Sequence, residues 1–440
     1  MSWVSPKLKE RLRAGEKVTL TNLRVPISVL PEKSWPEVAD GLTRFELTIA
    51  DGKILSLEGG SEEISTFDMK ETMAWPCPVD CHTHIDKGQV WGRSPNSDGA
   101  FSSALEIAHF DALNFSSPEE IYLRAEFSIR SAYAHGTAAI RTHVDVNPEL
   151  FDPTFERLCS LAVEWEGKVD VQLCPFTGPD VSEGELFHLA LKAKAHHAGV
   201  LSFFLYTTPN LPSFLDQVID LAERQGLALD FHADENLDPN SHCLRAVSEA
   251  VLRNKFQGPV LVGHCCSLAT QSAREADKTL DLAAEAGISI VSLPLCNSYL
   301  MDRHSEQTPK LRGFPPLAEM KKLGIPIALA SDNCRDAFYA YGDLDTVELF
   351  RDAVKLMQLD HPVGNWPSAV LNGAADAMGL EQKGRFYPGA AADFLLFPAR
   401  NWSEFISRPQ NQRLVIRKGS LLEEEPPSYQ ELDQLEGMRF

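Results

Sequence analysis

The stretch Asp80-Cys81-His82-Thr83-His84-Ile85-Asp86-Lys87 closes an apolar run over residues 73–79. Side chains alternate along a strand, so the two imidazoles of a His-x-His pair point the same way. Two neutral imidazoles on one side of a backbone are half of a first-row metal site. The missing donors belong at the ends of other strands, and the sequence supplies them. Further apolar runs end in Arg141-Thr142-His143-Val144-Asp145, His232-Ala233-Asp234-Glu235, Gly263-His264 and Ser331-Asp332-Asn333.

Three imidazoles, His82, His84 and His232, with the Asp332 carboxylate suit one divalent ion, Zn²⁺ or Fe²⁺, and leave a position for water. Such a cation lowers the water's pKa toward neutrality. Glu235, three residues beyond His232, is placed to take a proton from that water and pass it to a ring nitrogen. His264 is a group to polarise the attacked centre, and Asp332 has a second oxygen free to act as base. A single strand-end histidine is usually structural; compatible groups at so many strand ends are not expected by accident. Arg141, His143 and Asp145 are weaker cases that also read as ties between strands. Cys265 and Cys266 read as packing. His304 lies in a loop that would overlie the site, and His109, His196, His197 and His361 receive no role.

These donors need a scaffold that gathers strand ends. Eight short apolar runs, 73–79, 138–143, 169–173, 200–204, 228–232, 260–264, 289–293 and 326–331, alternate with helical patterns, as in an α/β (β/α)8 or TIM barrel. Its active site lies at the C-terminal strand ends. The barrel is expected over residues 72–371. β-rich runs at 18–23, 45–49 and 53–57, with an Asp51-Gly52 turn, are matched by others at 392–397 and 414–420. They predict one discontinuous β-sandwich domain from residues 1–71 and 372–440. Residues 1–17 read as an amphipathic arm, and the tail after Leu421 as loop or disorder.

The formal net charge of −21 argues against a nucleic-acid or anionic-membrane partner. Nine scattered cysteines without a C-x-x-C pair suggest reduced thiols. No run is long enough to span a bilayer and the start lacks a signal-peptide core, so a cytoplasmic protein is expected.

The motifs around His82, His143, His232, His264 and Asp332 together resemble the amidohydrolase superfamily, and within it the cytosine-deaminase-like branch. The resemblance spans residues 18–420. It implies a distorted TIM barrel with a flanking β-sandwich and one divalent metal, zinc or iron. It also implies metal ligands at His82, His84, His232 and Asp332, with Glu235 and His264 catalytic. Binuclear relatives bridge two metals with a carboxylated lysine after the fourth strand. Here that end reads Phe203-Phe204-Leu205-Tyr206, which implies a single metal. Gly178 falls where cytosine deaminases carry a glutamine that reads the pyrimidine amide edge. The branch's Asp-Asp pair is Asp332-Asn333 here, and its Asp-Pro-Trp is Asp336-Ala337-Phe338. Without the amide reader, discrimination for cytosine should fall.

The expected reaction is therefore hydrolytic deamination of an amino-substituted nitrogen heterocycle other than cytosine. Pyrimidine, triazine, pterin and creatinine-like rings all remain open. Lys87, Trp91, Gly178, Asn333 and Phe338 are the candidate substrate contacts, and Trp91, Phe203 and Phe338 the rings that would sandwich a flat substrate. The alternative is a cyclic amide or N-alkylaminotriazine amidohydrolase with the same metal. A catalytically dead binding barrel is opposed by the complete donor set. Helix faces and the terminal sandwich offer surfaces for a homo-oligomer.

Overall fold

The computed structural model describes residues 3–58, 65–196 and 198–436. His197, the first two residues of the arm, residues 59–64 and the last four residues lie outside the described residues. Among the described residues, eight parallel strands form a nearly closed barrel. They are β1 (Val79–Thr83), β2 (Ala139–Asp145), β3 (Asp170–Thr177), β4 (Val200–Phe204), β5 (Ala228–Ala233), β6 (Val260–His264), β7 (Ser289–Ser292) and β8 (Ile327–Leu329). Each pairs with the next in order. Closure between β8 and β1 is made by loop residues. The Asp332 N–H donates to the His82 carbonyl at 2.9 Å, and the Ser331 N–H donates to Asp80 Oδ1 at 3.0 Å.

A second, nine-stranded sheet of mostly antiparallel strands is built from both ends of the chain. Its long pair is Val18–Pro26 with Leu42–Ala50, and the Asp51-Gly52 turn (φ 53° and 74°) feeds Lys53–Ser56. Positive φ at both turn residues matches the twist of a tight hairpin. The C-terminal strands Phe394–Phe397 and Leu414–Arg417 complete it.

The run 73–79, expected as the first barrel strand, is divided between the two sheets. Met73–Pro76 pairs with Phe394–Phe397 of the terminal sheet, and β1 begins only at Val79. Pro76 and Pro78 lack the N–H a ladder needs, so a continuous strand cannot pass through both. Trp75 is thereby buried in the outer layer, stacked on Phe405 at 4.8 Å. The tail also departs from the loop expected of it. Tyr429–Leu432 and Asp433–Glu436 form short helical turns, and Leu432 and Leu435 bury against Phe127. The N-terminal arm is the helix Pro6–Arg13, with Leu8 and Leu12 facing inward four residues apart.

Two helices fix the loops that carry the expected site. Helix Pro118–His135 holds Arg124, a fully buried cation neutralised by Glu120 at 2.9 Å. Its guanidinium donates to the carbonyls of Asp86 (2.9 Å) and Gly88 (2.7 Å), pinning the loop after β1. Asp234 accepts from the Cys243 and Leu244 N–H groups at 2.7 and 3.0 Å, at the start of helix Cys243–Asn254. That bond satisfies donors the helix leaves open and fixes the backbone between His232 and Glu235. No helix of the described residues is long and apolar enough to cross a membrane.

Candidate active site

The strand ends bring His82, His84, His232, His264, Glu235 and Asp332 to one region of the barrel mouth. His84 Nε2 lies 3.1 Å from His232 Nε2 and 3.4 Å from Asp332 Oδ1, and His82 Nε2 lies 3.6 Å from the same oxygen. Ligand atoms of His82, His232, His264 and Asp332 all fall within 4.8 Å of one another. Donors about 2.0–2.2 Å from a common ion are separated by about 3–4 Å, the spacing seen here. Backbone conformation contributes to the aim: His264 and Asp332 both adopt left-handed φ, 68° and 67°. Non-glycine residues held there are uncommon and cluster at functional sites.

Whether this set fits a metal is tested by its unsatisfied atoms. His82 Nε2 and both oxygens of Asp332 are buried without a hydrogen-bond partner. An orphaned buried carboxylate is costly unless something binds it. Burial, followed by the neighbouring imidazoles or Lys87, holds His82, His84 and His232 well below the ordinary histidine range, so all three rings are neutral. Burial pushes Asp332 up to about 7. Neutral imidazoles with a carboxylate lacking a counter-charge are what a divalent cation requires; the residues fit the group.

Glu235 and His264 form a second pair beside these donors, with Glu235 Oε1 3.4 Å from His264 Nδ1. Burial, then the charge of Asp332, raises the Glu235 carboxyl well above its ordinary range. That is the shift a proton-carrying acid needs near neutral pH. Glu235, Cys296 and Asp332 also place ligand atoms within 4.8 Å of one another.

Toward solvent, Lys87 Nζ sits 2.9 Å from Asp145 Oδ1 and 5.4 Å from the ring centres of both Phe176 and Phe338. Asn333 donates to Asp336 Oδ2 at 2.7 Å, and Asp336 Oδ1 accepts from the Phe338 and Tyr339 N–H groups at 2.9 and 3.0 Å. Asn333 thus fixes the turn that presents Phe338. Gly178 lies under Phe204; a Cβ there would meet the ring at 2.7 Å. Trp91 is half-buried, and its backbone N–H donates to the Arg335 carbonyl at 2.8 Å. His304 is exposed and turns to Asp302 at 3.2 Å.

Phe203, expected among the rings that sandwich substrate, faces the other way. It packs against Phe214 of helix Leu211–Gln225 at 5.2 Å and against Phe231 at 6.0 Å, fully buried between strand and helix. Phe204 is the inward neighbour: it pairs in register with His232 and meets Phe176 at 5.5 Å. Phe176, whose ring lies 4.3 Å from that of His232, is a ring beside these donors that sequence reasoning missed. The signal was available in the alternation along β3.

Below the mouth, Arg141 donates to Gln172 Oε1 and Asp230 Oδ2, each at 3.0 Å, tying β2 to its neighbours. His143 bridges the two levels, with Nε2 3.3 Å from His82 Nδ1.

The family model described as "Amidohydrolase family" matches residues 193–422. Pterin deaminase from Rhizobium rhizogenes is 41% identical over 425 residues, covering 96% of this chain and 97% of that protein. N-isopropylammelide isopropyl amidohydrolase from a Pseudomonas species is 21% identical over 86% of this chain and 93% of that protein. Among solved structures, 5-methylcytosine deaminase from Klebsiella pneumoniae liganded with 5-fluorocytosine superposes with a TM-score of 0.77. It is 23% identical and covers 93% of this chain and 98% of that one.

Proposed function

The chain belongs to the amidohydrolase family and is a hydrolase of carbon–nitrogen bonds, and we propose that it deaminates a pterin, replacing the ring amino group by oxygen and releasing ammonia. The reaction rests on the convergence of unpartnered, neutral donors beside a carboxyl poised to carry a proton. The choice of a pterin within the heterocycles rests on the 41% identity that runs the length of both proteins.

In this reading His82, His84, His232 and Asp332 hold one divalent ion, zinc or iron. When bound, the cation makes water acidic enough to supply the nucleophile at neutral pH. Glu235 delivers a proton to the ring nitrogen next to the amino-bearing carbon, so that carbon accepts the incoming oxygen. His264 faces that oxygen and stabilises the charge it gains. Asp332 relays a proton to the departing amine, which leaves as ammonia. Phe176 and Phe338 flank the flat ring, and Lys87 between them meets a ring carbonyl. Balance is simple: one water enters, one ammonia leaves, and the ring gains a carbonyl. All nine cysteines are free thiols, which supports a reducing, cytoplasmic setting.

Protein loaded with zinc or iron should release one ammonia per 2-amino-4-oxopteridine consumed, with the 2,4-dioxo product followed by absorbance. Isopropylamine release from N-isopropylammelide in preference to ammonia from the pterin would favour the alternative hydrolase and overturn the reading. So would deamination of cytosine with the pterin untouched.

A further inference from the structure

His264 poses a problem for the donor set. Its ring nitrogen lies within 4.8 Å of ligand atoms of His82, His232 and Asp332, yet its proposed task is to donate a hydrogen bond and not to ligate. An imidazole does one or the other at a given nitrogen, according to which nitrogen carries the proton. The partners of the far nitrogens decide the matter.

Behind His82 runs a chain of polar contacts. His82 Nδ1 lies 3.3 Å from His143 Nε2, His143 Nδ1 lies 3.0 Å from Ser202 Oγ, and Ser202 Oγ donates to the Pro175 carbonyl at 2.9 Å. A carbonyl only accepts, so the one hydroxyl proton of Ser202 is committed to Pro175. Ser202 therefore accepts from His143 Nδ1–H. No carboxylate of the described residues lies within hydrogen-bond reach of this buried ring, Asp230 Oδ1 being 4.0 Å from Nε2, so His143 is neutral and its Nε2 accepts from His82 Nδ1–H. His82 Nε2 is left with a lone pair, buried and unpartnered, facing Asp332. Behind His264 the order is reversed. Asn297 Nδ2, which can only donate, lies 3.0 Å from His264 Nδ1, nearer than Glu235 Oε1 at 3.4 Å. His264 Nδ1 then accepts, and its Nε2, also buried and unpartnered, carries the proton.

We propose that His143, backed by Ser202, and Asn297 are positioning residues that set opposite tautomers on His82 and His264, so that one presents a lone pair and the other an N–H to the same point. The inference rests on the reading of His82 as a metal ligand. It identifies three residues outside the ligand set as determinants of which histidine binds the cation and which one serves substrate.

Long-range ¹H–¹⁵N spectra of histidine-labelled protein, assigned with single substitutions, read the tautomers directly. His82 should show Nδ1–H and His264 Nε2–H. Zinc affinity, measured by competition with a chromophoric chelator, needs no substrate. His143→Ala should weaken zinc binding by about 10–100-fold, and His143→Gln, whose carbonyl oxygen reaches the position of the lost Nε2, should restore most of it. Asn297→Asp replaces a donor by an acceptor. It should convert His264 to the Nδ1–H form and lower kcat at least about tenfold, a loss of roughly 1.4 kcal/mol, without weakening zinc. Circular dichroism confirms that each variant is folded, and should His143→Ala fail to fold, the wild-type spectra and Asn297→Asp still decide. Nδ1–H on His264 in the wild type, or equal zinc affinity in wild type and a folded His143→Ala, would overturn the inference. A wild type that takes up no zinc or iron would instead sink the functional reading, while the spectra still report the tautomers.

Discussion

Two polar clusters are stacked inside the barrel, and by distance alone both qualify as metal sites. Ligand atoms of His82, His143, Asp230 and His232 approach one another as closely as those of His82, His232, His264 and Asp332. The lower cluster carries its own cation, Arg141, and of its carboxylate only Asp230 Oδ1 lacks a partner. Asp230 faces Arg141 at 3.0 Å, Arg141 also holds Gln172, Gln172 donates to the Met378 carbonyl at 2.9 Å, and His143 is committed to Ser202 and His82. The upper cluster has no cation of its own, and both Asp332 oxygens lack a partner. The difference teaches that convergence does not identify a site; convergence of unpaired donors does. A group whose partners are all present is holding the barrel together, and a group without them awaits a ligand.

The comparison breaks most sharply by substitution in each cluster. His84→Ala should abolish stoichiometric metal uptake and cost about a thousandfold or more in kcat/KM, roughly 4 kcal/mol, while leaving the metal-free melting temperature near wild type. Arg141→Met should do the reverse. It strands Asp230 as an uncompensated buried charge, a loss of about 3–5 kcal/mol in stability, yet the protein that remains folded should still take up metal. Metal analysis of desalted protein, paired with denaturant unfolding, tests both. Equal damage to metal uptake from the two substitutions would erase the distinction drawn here.

Glu235→Gln comes next. It keeps size and removes the transferable proton, so kcat should fall by about 10²–10⁴-fold with metal content unchanged. Activity within a few-fold of wild type would remove Glu235 from the mechanism. Lys87→Met follows, with the ammonium lost and the stem retained. KM for the pterin should rise by about tenfold, the 1–2 kcal/mol of a charge-assisted hydrogen bond, with kcat changed less. An unchanged KM would return Lys87 to a structural role beside Asp145.

How far these clusters were legible in the sequence follows from the same distinction. The donors His82, His84, His232, His264 and Asp332 stand at strand ends, which the apolar runs mark; the runs 200–204 and 260–264 coincide with β4 and β6 residue for residue. The first strand was misplaced because one apolar run crosses two sheets, and only the prolines within it record the break. Phe203 and Phe204 were not told apart, although Ser202, the one polar residue of β4, shares its face with Phe204 and not with Phe203. The register Phe204 with His232 and Phe203 with Phe231 decides it. Ser202 and Asn297 were illegible for another reason. Their roles depend on which atom lies across from them on another strand or helix, and no local pattern encodes that.

The smallest expected effect separates the clusters by pH. Burial pushes Asp80 and Asp230, both below the mouth, up to about 6, and does the same for Asp336 at the mouth. It pushes Asp86 and Asp332 up to about 7. An unfolded aspartate titrates near 3.9 and an unfolded histidine near 6.5, so between pH about 4 and 7 these carboxyls bind more protons in the native metal-free protein than in the unfolded chain, while the buried His82, His84, His143, His232 and His264 bind fewer. The carboxyl share of the stability falls as pH rises through that window and the histidine share rises, so the two oppose each other in the metal-free protein. Carboxyls shifted the other way, such as Asp111 and Glu120, lose their contribution only as pH drops below their ordinary range and do not enter this window. Metal changes one region and not the other. A cation on Asp332 holds it ionised and removes its share of the slope, whereas Asp80 and Asp230 keep theirs. Calorimetry at pH 5 and 7.5 should show zinc raising the melting temperature more at the higher pH, because the Asp332 proton no longer competes with the cation there. Parallel dependences in the two forms would mean that the cation does not sit on Asp332.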